Sequence, residues 1–308
     1  MKNAIKYFYN LEINDIHQYK KEYKFHVLNK EYILCPYMKT LNELEEKYSI
    51  QKYINSIGIY CHKIISNNMN QLITTINNKN YVLIEITQPN RKINIIDIME
   101  FSKVYLNRQY FKNIDRTNWK KLWKNKIDYL EYQINQFRKT YPTIRESSDY
   151  YIGIAETCIS LFANIESKNQ ITTYMHNRIN DKTTANDYYN PLNFIIDSRI
   201  RDIGEYLTPK LYENQDIVGI IDSYINLAKL TNNEIILLFI RLMYPSNYFD
   251  LCESIIEKEQ QESVLNSLLD NNNIFEKQIK EIYLYIKKII TIPEIEWLLS
   301  PIQHYQHL

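Results

Sequence analysis

The chain has 308 residues, a formal net charge of +1 and a hydrophobic fraction of 45%, enough for a sizeable core in one large domain or two modest ones. A charge so near zero excludes a strong global field toward nucleic acid or a membrane surface. Only 4 glycines (Gly58, Gly153, Gly204, Gly219) occur and no two are spaced G-x-G, which excludes a Rossmann fingerprint and a P-loop.

The opening segment has no apolar run followed by a small-residue cleavage site, so no signal peptide is expected. Residues Tyr23 to Leu28 alternate as a strand, Asn29 and Lys30 suit a turn, and Glu31 to Pro36 run back. Leu41, Leu44, Tyr48, Ile50, Tyr53, Ile54 and Ile57 recur at helical spacing, with Gly58 as a natural C-cap. Gln71 to Ile76 and Tyr81 to Ile86 read as strands joined through Asn77 to Asn80. A helix is expected from Ile95 to Leu106.

The texture then turns helical. The spacing predicts helices over Trp119 to Arg138, Tyr150 to Ile165, Ile217 to Leu230, Asn233 to Met243, Tyr248 to Leu269 and Ile274 to Ile289. Asn169 to Leu207 is irregular, with an apolar run from Asn193 to Ile196. Lys120, Lys121, Lys124 and Lys126 form a basic patch around two tryptophans, read as a solvated helix face. The most apolar stretch, Ile235 to Met243, is too short to span a bilayer and contains Arg241. Cys35, Cys61, Cys158 and Cys252 are widely spaced, which fits reduced, partly buried thiols of an intracellular protein rather than a zinc site. A strand block followed by a helix block argues an α+β fold.

Several segments resemble known sequences. His176, Asn177 and Arg178 stand where the aminoglycoside-phosphotransferase branch of the kinase-like fold has H-G-D. Ile195, Ile196 and Asp197 stand where its metal aspartate lies, 19 positions beyond Arg178. The stretch Asp197 to Leu207 resembles the D-x-x-x-R-D-[LI]-x-E-[WY]-[IL] signature of YutH/CotS-type spore-coat kinase-like proteins, through Asp197, Arg201, Asp202, Glu205, Tyr206 and Leu207. Arg241 to Phe249 resembles their R-L-x-[FY]-P-x-x-Y-F helix end. Tyr32 to Pro36 resembles their third strand, and Trp119 with Trp123 the helix that opens their large lobe.

The resemblance implies a two-lobed protein-kinase-like fold, with a small antiparallel-sheet N-lobe over 1–88 and a mainly helical C-lobe over 89–308. It implies a nucleotide hinge at Glu85 and Ile86. It also implies degenerate chemistry. The strand lysine that holds phosphates is replaced by Cys35, with Lys30 and Lys39 nearby as substitutes. Glu43, Glu45 and Glu46, without that lysine, read as solvated helix charges. The catalytic aspartate position is Arg178, which reverses the charge required of a base, although Asp181 and Asp187 are close in sequence. The metal-binding asparagine position is Thr183. Asp197 survives as a metal ligand or as a structural carboxylate, His176 reads as structural, and Arg201 with Asp202 as an ion pair bracing the large lobe.

The expectation is a pseudokinase of sporulation: a spore-coat-associated scaffold in the mother-cell cytoplasm or the coat. It would bind proteins, including coat components, with no nucleic acid, no membrane insertion and no cofactor. The alternative is an active phosphotransferase with a rearranged site, for which ATP and magnesium would be needed.

Overall fold

The computed structural model describes residues 1–19, 21–104, 111–137, 140–163, 165, 171–180 and 182–299. Leu106, Arg138, Asn169 and Asp181, which enter the sequence reading, lie outside the described residues.

In chain order the elements are α1 Lys2–Tyr9, β1 Ile16–Tyr19, β2 Glu22–Val27, β3 Lys30–Pro36, α2 Leu41–Ser56, β4 Lys63–Ile65, β5 Thr74–Ile76, β6 Lys79–Ile86 and α3 Ile95–Ser102. There follow α4 Trp119–Phe137, α5 Pro142–Ala163, β7 Thr172–His176, α6 Ala185–Tyr188, β8 Phe194–Ser198, α7 Arg201–Leu207 and α8 Ile217–Ala228. The chain continues with α9 Asn232–Met243, α10 Ser246–Ile256, α11 Asn266–Leu269, α12 Asn272–Ile289 and α13 Glu296–Leu299.

Contacts group the chain into two units. The first takes Met1–Arg116 and Thr172–Arg199; the second takes Thr117–Ile171 and Ile200–Leu308. The 88/89 boundary expected from the sequence therefore falls inside the first unit. The reason is a set of bonds that stitch later residues to earlier ones. The N–H of His62 donates to Tyr189 O at 2.9 Å, that of Ala185 to Arg91 O at 2.7 Å, and that of Arg116 to Ile196 O at 2.8 Å.

The first unit holds a wholly antiparallel sheet in the order β1-β2-β3-β6-β4, with β5 pairing the start of β6. Asn77 and Asn78 set one hairpin: both adopt positive φ, 50° and 60°, the pair of values a two-residue turn of the right twist demands. Period-2 alternation then divides the side chains between two faces. Ile33, Cys35, Val82 and Ile84 face α2, packing with Leu44 and Ile64. Phe25, Tyr32, Leu34 and Leu83 face α1, packing with Ile5. A second antiparallel pair, β7 with β8, is buried along its whole length.

The second unit is helical in its described residues. α4 and α5 form an antiparallel pair in which Trp119 and Trp123 lie against Phe162, with ring centroids 6.4 and 6.2 Å apart. The run Asn232–Ile256 is long and apolar enough by composition to cross a membrane. In the fold it is two mostly buried helices, α9 and α10, interrupted at Tyr244 and Pro245. The helix expected over Tyr248 to Leu269 stops at Ile256, where Lys258 adopts a φ of 62°.

Candidate functional site

Cys35 lies one residue from the end of β3, on the sheet face that α2 covers, and is 4% exposed. Its thiol donates toward Oε1 of Glu22 on β2 at 3.7 Å. Burial, reinforced by the Glu22 carboxylate, pushes the thiol well above its ordinary range, with Lys24 opposing and Asp187 adding to the shift. The position that the family resemblance assigns to a phosphate-holding lysine therefore presents a neutral thiol beside an anion.

The cation on this face comes from α2 instead. Lys47 is 1% exposed, and its ammonium donates to Leu192 O at 2.7 Å and pairs with Glu43 at 2.8 Å. Burial lowers its pKa from 10.5 to about 8, against the opposing pull of Glu43. Glu43 also pairs with Lys39 at 2.8 Å. Burial alone would raise the Glu43 carboxyl, but the two lysines outweigh it and hold the group below its usual range. Glu46 accepts the backbone N–H groups of Asn113 and Ile114. Glu43 and Glu46 are thus not the solvated charges expected from the sequence, because Glu43 is held by Lys39 and Lys47 and Glu46 by backbone N–H groups from beyond α2. Glu45 is exposed. Lys30, the other nearby lysine, pairs with Glu85 at 3.1 Å.

His176 closes β7 and is fully buried. Its ring stacks on Tyr188 at 3.9 Å and meets Phe194 edge-on at 5.3 Å, with Phe101 at 5.5 Å. Arg178 follows in an exposed bend. Thr183 takes the next turn: its hydroxyl accepts the N–H of Asn180 at 2.8 Å, and its N–H donates to Asn180 O at 3.1 Å. Asp187 on α6 is exposed and accepts from the Thr184 hydroxyl at 3.1 Å. Asp197 is fully buried on β8, opposite Thr173, and accepts the Ser198 N–H at 2.7 Å. No group of three or more His, Cys, Asp or Glu side chains is placed to hold a metal ion among the described residues.

Glu85 and Ile86 are the last two residues of β6, still paired with β3, and Glu85 is held by Lys30 and by the Tyr32 hydroxyl at 3.4 Å. Just beyond, Asp97 anchors α3. It accepts two bonds from Arg91 at 2.7 and 2.5 Å, the Tyr189 hydroxyl at 2.5 Å and the Asn94 N–H at 2.8 Å. Within the second unit, Arg201 lies 3.6 Å from Glu205, and Glu205 also pairs with Arg241, whose guanidinium stands 5.0 Å over Trp119. Asp202 beside them is fully buried.

Sequence reasoning missed Lys47 and Glu22. Lys47 had a signal: Leu44, Lys47, Gln51 and Ile54 share one helical stripe, so a charge sits on the apolar face. Glu22 had none, since its role depends on β2 pairing β3.

An antiparallel sheet backed by one helix, a buried hairpin carrying Asp197 and a helical second unit define the protein-kinase-like fold of the aminoglycoside phosphotransferases. Solved structures agree. An aminoglycoside phosphotransferase from Alicyclobacillus acidocaldarius matches with a TM-score of 0.73 at 9% identity, covering 94% of this chain and 97% of that one. A spectinomycin phosphotransferase in complex with ADP and spectinomycin matches at 0.61 and 12% identity, covering 93% and 97%. The particular family is the spore-coat one: residues 2–282 match the model described as "Spore coat putative kinase YutH", and the chain belongs to that family. The endospore coat-associated protein YutH of Bacillus subtilis (strain 168) is 25% identical, over 97% of this chain and 98% of its own length.

Proposed function

We propose that this chain is a kinase-shaped, non-catalytic binding protein of the spore coat or of the mother-cell cytoplasm in which a coat is built, with other coat proteins as partners. The observation that carries the reading is the Cys35–Glu22 contact. Phosphoryl transfer is mostly charge neutralisation and positioning. Here a triphosphate would meet a carboxylate where it needs an ammonium. The residues present do not fit a magnesium–nucleotide complex: Lys47 is committed to Leu192 and Glu43, and the base position is an arginine. The coat assignment rests on the family and on the coat-associated relative.

One observation favours a second reading, a phosphotransferase with a rearranged site. Asp197 is retained, and Lys24 and Asp187 both lie within electrostatic reach of Cys35. Calorimetric titration with ATP and magnesium, paired with a phosphate-release assay, separates the two. The scaffold reading expects no magnesium-dependent binding. Binding that disappears in Asp197→Ala overturns it in favour of the enzyme.

A further inference from the structure

Two features of the second unit have complementary chemistry. The first is at the start of α4. Lys120 and Lys121 fall in its first turn and Lys124 in the next, all exposed, with Leu122 beside them 45% exposed. A helix N-terminus carries partial positive charge, so lysines there oppose the dipole. No acidic residue sits in that first turn to offset them. Lys126 is taken by Asp250 and Glu253, whereas Lys120, Lys121 and Lys124 have no ion-pair partner among the described residues. A local rule broken without an internal gain points outward.

The second feature is a cavity of about 890 Å³ between the first turns of α5 and the α11–α12 connection. Glu146, Asp149, Asp270 and Glu276 line it, and no lysine, arginine or histidine does. Two rings of its wall are fixed: Tyr150 donates to Glu276 at 2.6 Å and Tyr151 to Asn272 at 2.5 Å. Arg145 pairs with Glu146 at 3.0 Å from outside the lining. In the antiparallel α4–α5 pair, Trp119 lies near Phe162, so the lysines are at the opposite end of α5 from this cavity. A chain cannot fill its own cavity with them.

We propose that the lysine-bearing start of α4 in one copy docks into the acid-lined cavity of a second copy, so that this protein associates with itself head to tail. The two patches differ, so the contact is heterologous and leaves one patch open at each end. Such a contact grows into a chain unless the rotation closes a ring. This goes beyond the proposed function and stands whether or not the first unit transfers phosphate.

Sedimentation velocity on the full chain tests it, at about 20 mM and about 500 mM salt, where screening differs severalfold. The expected result is a mass that climbs with concentration beyond the single-chain 37.3 kDa at low salt and falls back at high salt. The triple variant Lys120→Glu, Lys121→Glu, Lys124→Glu stays single, and so does the double variant Asp149→Lys, Asp270→Lys. Mixed one to one, the two variants associate again, because the lysines of one meet the intact acidic cavity of the other and the introduced glutamates meet the introduced lysines. Circular dichroism establishes that both are folded, and the triple Lys→Gln variant replaces the Lys→Glu one where charge reversal perturbs folding. A wild type that is single under all conditions overturns the proposal. So does a lysine variant that associates like wild type, or a folded mixture that stays single.

Discussion

The Lys47 ammonium donates to the carbonyl of Leu192 at 2.7 Å, so α2 is tied to the loop that feeds β8. The helix carries both signs, Glu43 and Lys47, and spends them on each other and on that loop. Those charges are spent within the first unit, which leaves them unavailable to a ligand.

Burial of that ammonium makes stability depend on pH in an unusual direction. The folded pKa of Lys47 lies near 8, below its ordinary 10.5. Below about pH 8 both states carry the charge and the fold bears the full cost of burying it. Above about 10.5 neither does. Between them the unfolded chain holds more protons, so stability rises with pH, by about 3 kcal/mol in all. Urea titrations of wild type and Lys47→Met across this window check it. The expected outcome is a difference curve that changes through the window; a flat difference means that Lys47 titrates normally.

Asp97 is a junction of four hydrogen bonds. Burial would raise its carboxyl, but Arg91 and the Tyr189 hydroxyl outweigh burial and hold it below 3.8. A carboxyl lowered in the fold stabilises above its unfolded pKa and loses that contribution as pH falls through the folded one. Asp97→Asn is expected to cost about 1–2 kcal/mol at neutral pH, because the half-exposed Arg91 turns to water while the Tyr189 hydroxyl and the Asn94 N–H lose a charged acceptor. Tyr189→Phe costs about 1 kcal/mol. Chemical denaturation of both variants measures the ratio.

Two glycines in helices should respond oppositely to alanine. A Cβ on Gly153 in α5 meets nothing within 4 Å, so Gly153→Ala gains about 0.5–1 kcal/mol of helix propensity. A Cβ on Gly204 in α7 would stand 2.7 Å from Cγ of Arg241, which Glu205 and Trp119 hold in place. Gly204→Ala is expected to destabilise by about 1–3 kcal/mol. Thermal melts of the two variants side by side decide it; equal shifts would mean that Arg241 moves freely.

All four cysteines are buried and free. Burial pushes each thiol up, Cys252 to about 12. A thiol reagent should therefore find no reactive group in the native protein at pH 8 and four on unfolding. Rapid native labelling of Cys35 would mean that its contact with Glu22 opens readily.

The elements legible in the sequence were those with a clean period or a bounded apolar run. α2 buries one face, marked by Leu44, whereas β3 and β6 bury both, so Leu34 and Leu83 sit inside continuous apolar runs between turn residues. Several elements escaped for physical reasons. β4 has only three residues. β1 places His17 and Gln18 mid-strand and depends on β2 for its existence. α1 buries Ile5 alone. The hairpin β7–β8 is buried on all sides, so Thr172 to His176 shows no alternation to read. The start of α5 was missed by eight residues, although Pro142 at the first helical position is a known opener. Of the candidate site, Cys35, Arg178 and Asp197 were named from the family resemblance. Their surroundings, Glu22, Lys47 and the aromatic cage of His176, exist only once distant strands and loops have met.

Helix α1 has a consequence for anyone handling this protein. It lays Ile5 on Phe25, Tyr32 and Leu34, and Tyr9 reaches the Thr74 hydroxyl at 2.8 Å. The outer sheet face is thus an interior. Trimming the first ten residues, as is often done to tidy a leading end before crystallisation, would convert that interior into a flat, aromatic-rich β surface of the kind that drives aggregation.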